Sequence, residues 1–120
     1  MKVLVTGGRD HKDPSLINAT LDGLFVAYTR DELLIIHGAA KGADTYAEQW
    51  AHKNHVATVS YPADWNANGK AAGAIRNQKM LDEMEPDLVM AFPTRHSKGT
   101  WDMVRRAQKQ DVDVIITEED

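Results

Sequence analysis

The stretch Lys2-Val3-Leu4-Val5-Thr6-Gly7-Gly8-Arg9-Asp10 decides the fold. Its apolar run offers no polar face, which is the pattern of a strand buried between two layers. The glycine pair that follows reads as a tight turn into a helix, free to take up positive φ and to let a ligand come close to the backbone. Two adjacent glycines also serve a purely steric turn, so the pair alone leaves both roles open. Asp13 and Pro14 then supply an N-cap and a first helical position, with Ile17, Leu21, Leu24 and Tyr28 on one stripe.

The same rhythm repeats down the chain. Further apolar runs at 33–37, 56–61, 87–92 and 112–117 predict four more strands. Helical spacing predicts helices at 43–54, with Ala43, Ala47 and Trp50 inward, and at 70–84, with Ala74, Gln78 and Leu81 on a face and Pro86 closing it. A last helix opens near Gly99-Thr100, carries Trp101, Val104 and Gln108 at helical spacing, and ends near Gln110. Five strands alternating with four helices predict an α/β, three-layer Rossmann-like fold around a five-stranded parallel sheet. The run at 56–61 is more polar on one side and belongs at an edge, which the order 3-2-1-4-5 provides. One domain spanning 1–120 is expected, with Glu118-Glu119-Asp120 as a tail.

Composition narrows the function. Cysteine is absent, which excludes disulfides, thiolate zinc sites, iron-sulfur clusters and cysteine nucleophiles. No window has the length of apolar sequence that a membrane helix needs, and Met1 leads into a strand rather than a signal peptide, so a cytoplasmic protein is expected. The 18 acidic residues outnumber the 14 basic ones, giving a net charge of -4, which argues against a general electrostatic grip on DNA.

In a parallel α/β sheet all strand-to-helix loops gather beyond the strand C-termini. Arg9, Lys12, Lys41, Lys70, Arg76, Arg95 and Lys98 fall in or just after those loops, half of the 14 basic residues. Helix N-termini add partial positive charge and free N–H groups, so this rim suits a phosphate. Gly38, Gly42 and the small residues between them strip side chains from the second loop for close approach, and Asp44 is suited to helix capping or to a ribose hydroxyl. Trp65 either stacks on a base or covers the core. Arg76 leans back toward the rim from its helix, and Asn77 is suited to local backbone bonding. His37 reads as buried and hydrogen-bonded. His52 and His55 read as surface residues, so no metal site is expected, and no cofactor.

Four blocks together resemble the YspA, or YpsA-related, branch of the SLOG superfamily. They are Val5-Thr6-Gly7-Gly8-Arg9-Asp10, then His37-Gly38 with Lys41-Gly42-Ala43-Asp44, then Ala63-Asp64-Trp65 with Gly69-Lys70, Ala72-Gly73 and Arg76-Asn77, and finally Ser97-Lys98-Gly99-Thr100 with Asp102-Met103-Val104. The superfamily is Rossmann-like and includes the DNA-processing protein DprA and the cytokinin-activating phosphoribohydrolases. The resemblance implies binding of a nucleotide or nucleotide-derived ligand. It places Gly7, Gly8 and Arg9 on one side of the ligand and Gly38, Gly42 and Asp44 on another, with Arg76, Asn77, Gly99 and Thr100 completing the site. It also implies a homo-oligomer, dimer or higher, in which Trp50, Trp101 or Tyr28 sits at a contact or in the core. By the same comparison, a role in sensing or processing nucleotide signals in phage-host conflict is expected, in the host cytoplasm if a phage encodes the chain.

One departure stands out. The phosphoribohydrolases carry Pro-Gly-Gly-x-Gly-Thr-x-x-Glu with a catalytic glutamate, whereas here Met103 stands three residues after Thr100. A ligand-binding protein is the leading expectation, with Lys41, Trp65, Ser97 and Lys98 joining the residues above. The alternative is a hydrolase that cleaves the N-glycosidic bond of a nucleoside phosphate. It would use Asp44, Asp64 or Asp102 as the carboxylate and Arg76 to orient the substrate. Single-stranded DNA binding ranks third.

Overall fold

The computed structural model describes residues 1–118. Five strands form one parallel sheet in the order β3-β2-β1-β4-β5, namely β1 (Lys2–Gly7), β2 (Leu34–His37), β3 (Ala57–Ser60), β4 (Leu88–Phe92) and β5 (Asp113–Ile116). Five helices connect them: α1 (Pro14–Asp22), α2 (Ala43–Lys53), the single-turn α3 (Trp65–Asn68), α4 (Ala72–Met84) and α5 (Lys98–Lys109). The expected topology and strand positions hold. No helix among the described residues is long and apolar enough to cross a membrane.

Strand alternation divides the core between the two faces of the sheet. Val3, Val5 and Ile35 point to one face and pack on Ile17 and Leu21 of α1 and on Ala47 and Trp50 of α2. Leu4, Ile36 and Val89 point to the other and pack on Met80 and Leu81 of α4 and on Met103 and Ala107 of α5. Each large aliphatic chain so buried contributes about 1.5–3 kcal/mol. The central strand β1 pairs with β4 as far as Gly7 opposite Phe92, and with β2 at Val3 opposite Ile35. The chain winds outward in both directions from β1 and β4, which leaves a crevice above their C-terminal ends.

Three local expectations need correction. α1 stops at Asp22, and Leu24 and Tyr28 reach the same core from a 3₁₀ turn (Gly23–Val26) and the bend after it. The helix expected at 70–84 forms as α4, entered through a 3₁₀ turn (Gly69–Ala71) whose Gly69, at φ +56°, separates it from α3. The buried face of α4 is Ala72, Asn77, Met80 and Leu81, while Ala74 and Gln78 are only half-buried. On α5 the inward face is Thr100, Met103, Val104 and Ala107, with Trp101 half-buried and Gln108 exposed. The tail at 118–120 leaves Glu118 exposed, and Glu119 and Asp120 lie outside the described residues.

Candidate functional site

Asp13 caps α1 through its side chain, accepting from Leu16 N at 3.0 Å, so the first loop is fixed at both ends. Between them Gly7 and Gly8 do not use the positive φ open to them; among the glycines that conformation falls to Gly42 (φ +75°) and Gly69. A Cβ on Gly7 would strike Ala43 Cβ and lie 2.8 Å from the Phe92 carbonyl, and one on Gly42 would strike the Gly8 carbonyl. The glycines therefore let the first two loops and β4 press together. Ala43 N donates to Gly8 O at 3.2 Å and Gly8 N to Phe92 O at 3.1 Å, which seals that wall.

Above it opens a cleft of about 900 Å³, within the range of small-molecule sites. Gly7, Gly8, Arg9, Gly38 and Asp44 line one side. Trp65, Arg76 and Asn77 line a second, and Ser97, Lys98, Gly99 and Thr100 a third. Three expected residues lie elsewhere. Asp64 is exposed and caps α3, accepting from Ala67 N at 3.0 Å, and it is not on the cleft wall. Gly42 lies behind the wall as a packing residue, and Lys41 lines an adjoining cavity.

Asp44 is buried at the N-terminus of α2. Its Oδ2 accepts from Gly38 N at 3.0 Å and Ala40 N at 3.2 Å, while Oδ1 is buried with no hydrogen-bond partner. Burial raises its pKa, against the pull of the Ala40 hydrogen bond and of His37 and Arg76. Both earlier readings thus remain physically open to it, because one oxygen closes the loop and the other is left over.

Arg76 spans the cleft floor. It donates to Gly38 O, to Tyr61 O at 3.3 Å and, through Nε, to Asn77 Oδ1 at 3.0 Å. Burial lowers its pKa, Asp44 opposes that shift, and the nearby Arg9 charge adds to it. Asn77 is buried and bonds across the fold rather than locally, donating to Gly99 O at 3.2 Å and Asp102 Oδ2 at 3.0 Å. Asp102 also pairs with Arg106 at 2.9 Å. Burial pushes the Asp102 carboxyl up, but the Arg106 and Asn77 hydrogen bonds outweigh it and hold the pKa below the usual value. Its negative charge is therefore largely committed inside the protein.

At the mouth of α5, Ser97 Oγ accepts from Thr94 N at 2.9 Å and returns a bond to Thr94 O at 2.8 Å, fixing the turn into the helix. Thr94 Oγ1 also donates to Asp10, which lowers that carboxyl's pKa and ties the fourth loop to the first. Thr100 is buried on the cleft wall, and its Oγ1 has no partner. Trp65 is exposed, with the Arg9 guanidinium 5.0 Å from its ring centroid. His37 is buried as expected, bonded to Glu48 Oε1 at 3.2 Å and accepting from Ala39 N at 3.0 Å, and His52 and His55 are exposed.

Three residues escaped the sequence reading. Arg105 and Trp101 line the cleft from α5, and the spacing Lys98, Asp102, Arg105 carried the signal for the first of these. His11 is buried edge-on to Phe92 and Tyr46 beneath the first loop, and nothing in its neighbourhood of sequence marks it. With Arg105 added, cations from all the loops but the second face one cleft, whose carboxylates are Asp44 and the already paired Asp102. An anion with a hydroxyl-bearing portion is the chemistry this arrangement accepts.

A model of the YspA, cpYpsA-related SLOG family matches residues 1–67. The chain is 37% identical over 120 residues to the gene 61 protein of Mycobacterium phage D29, covering 95% of this chain and 94% of that protein. Its fold matches DNA processing protein A (DprA) from Streptococcus pneumoniae with a TM-score of 0.77 at 22% identity. That match covers 96% of this chain and 49% of DprA, so the chain spans about half the length of that protein. The likeness to DprA concerns the fold, whereas the family match and the phage relative bear on descent, and together they make the chain a member of the YspA, cpYpsA-related SLOG family.

Proposed function

We propose that the cleft binds a nucleotide or nucleotide-derived ligand made of phosphate, ribose and base. The observation that carries this reading is the pair of buried, unpartnered oxygens, Asp44 Oδ1 and Thr100 Oγ1, on the wall of a cleft otherwise rich in cations. A buried polar atom without a partner costs about 1–3 kcal/mol, which a ligand donor at Asp44 and a phosphate at Thr100 would recover. In this reading the phosphate sits at the α5 N-terminus among Arg95, Lys98 and Thr100, with Gly99 leaving room beside it. A ribose hydroxyl donates to Asp44, Arg76 and Asn77 hold the floor, and Trp65 stacks on the base. Calorimetry against AMP, ADP-ribose, NAD, cyclic nucleotides and a short single-stranded oligonucleotide tests it. Saturable binding of a nucleotide is expected, and a uniformly negative panel overturns it.

A second reading, hydrolysis of a nucleoside phosphate at its N-glycosidic bond, is favoured by the raised pKa of Asp44 beside Arg76. Asp64 caps a helix off the cleft wall and Asp102 is already paired, so the carboxylate role would fall to Asp44. Chromatography for free base after incubation with nucleoside monophosphates or NAD tests it, and release that survives Asp44→Asn would exclude that residue. The phage relative supports action in a host cytoplasm; a role in sensing or processing nucleotide signals goes with the binding reading above, and gel filtration tests the expected homo-oligomer.

A further inference from the structure

The cleft does not end at Arg9 and Trp65. On the other side of that pair lies a second cavity of about 410 Å³, which shares Arg9, Gly38, Arg76 and Trp65 with the cleft and adds Lys41 from the second loop. Arg9 and Arg76 thus stand on the divide between two connected spaces, close enough for the Arg9 charge to act on Arg76. Arg76 turns its donors to Gly38, Tyr61 and Asn77, whereas Arg9 covers an indole face, and among the described residues no ion pair engages Arg9 or Lys41. Asp44 offsets part of the Arg76 charge, but among the described residues no carboxylate pairs with Arg9 or Lys41, and an anion placed against these cations lowers the energy of the site.

We propose that the Arg9–Arg76 divide, reached by Lys41 from the second cavity, is a second phosphate position, so that the ligand is a nucleotide bearing two separate phosphates. One phosphate occupies the α5 mouth and the other the divide, with the nucleoside between them along Asp44 and Trp65. This rests on the nucleotide reading above and adds the ligand class. A nucleoside bisphosphate and a phosphate-linked dinucleotide share this chemistry. They differ in whether the second phosphate is a monoester or a diester.

The test is calorimetry with AMP, ADP, adenosine 3′,5′-bisphosphate and the 5′-phosphorylated dinucleotide pApA, on the wild-type chain and on Lys41→Ala. At least one of the two separated-phosphate ligands is expected to bind about tenfold tighter than AMP, or about 1.4 kcal/mol. Lys41→Ala is expected to remove most of that gain while leaving AMP affinity unchanged. A gain confined to the bisphosphate points to a monoester, and one shared by or confined to pApA to a diester. Several results overturn the inference while the nucleotide reading stands: AMP binding with no gain for either ligand, a gain indifferent to Lys41, or an equal Lys41-dependent gain for ADP, whose phosphates are contiguous. If none of these ligands binds and the broader panel is negative too, the nucleotide reading fails and takes this inference with it.

Discussion

Replacing Asn77 with alanine should unlock the cleft floor from α5. The substitution removes the bond from Arg76 Nε (3.0 Å) and those to Gly99 O (3.2 Å) and Asp102 Oδ2 (3.0 Å). A neutral hydrogen bond contributes about 1 kcal/mol and one to a charged partner about 1.5–3 kcal/mol, so the ceiling is about 4–7 kcal/mol. Arg76 and Asp102 are both partly open to water, and Asp102 keeps its Arg106 partner at 2.9 Å, which reduces the expected loss to about 2–4 kcal/mol. Urea unfolding reads this directly, since a mid-range slope of about 2 kcal/mol/M puts the fall in midpoint at about 1–2 M. Asp102→Ala alone should cost less, and the double variant should fall short of additivity by about 0.5–3 kcal/mol. A loss below about 1 kcal/mol for Asn77→Ala, or strict additivity with Asp102→Ala, would refute the view that one residue joins the third loop to the fourth.

Asp44→Asn tests the buried carboxylate: because burial raises its pKa, the folded chain holds that proton more tightly than the unfolded one. The group's stabilising contribution is therefore present below the ordinary carboxylate range and lost as pH rises through the folded value. Thermal melts between about pH 4 and 7 should show the wild type losing ground to the variant as pH rises, and movement the other way would contradict the assignment. Gly38→Ala places a Cβ on the Arg76 guanidinium, which must move; nucleotide affinity should fall about tenfold by calorimetry, and an unchanged affinity would remove Arg76 from the site. Asp13→Ala deletes the α1 cap and should cost about 1 kcal/mol in chemical denaturation while ligand binding is untouched.

The sheet was legible because its central strands are apolar on both faces and each is followed by a turn, so Val3 to Val5 and Leu88 to Phe92 admit few other placements. Helix faces were less so. On α5 the bulk of Trp101 outweighed the plainer Met103 and Ala107, which do the packing, and on α4 the buried face runs through Asn77, a polar residue that apolar spacing passes over. The residues gathered at the cleft were mostly visible as basic or small residues in four loops. Their partners were not, because the bonds of Asn77 to Gly99 and Asp102 join residues 22 and 25 apart in the chain. Arg105 was missed because it stands two turns into a helix, beyond the loops where cations were sought.

The two sides of the cleft are built differently, and this bears on how relatives diverge. On one side Gly7 and Gly42 seat loop against loop so closely that an added atom meets backbone or Ala43, and substitution there is costly. On the other, α3 has no buried residue at all, and its tryptophan stands in the open beside Arg9. Mutation can therefore rewrite residues 65–68 at little expense to folding, while Gly69, at φ +56°, is held by its backbone. On the nucleotide reading proposed above, preference for one base over another would drift along that single turn while the glycine-packed side of the cleft is inherited intact.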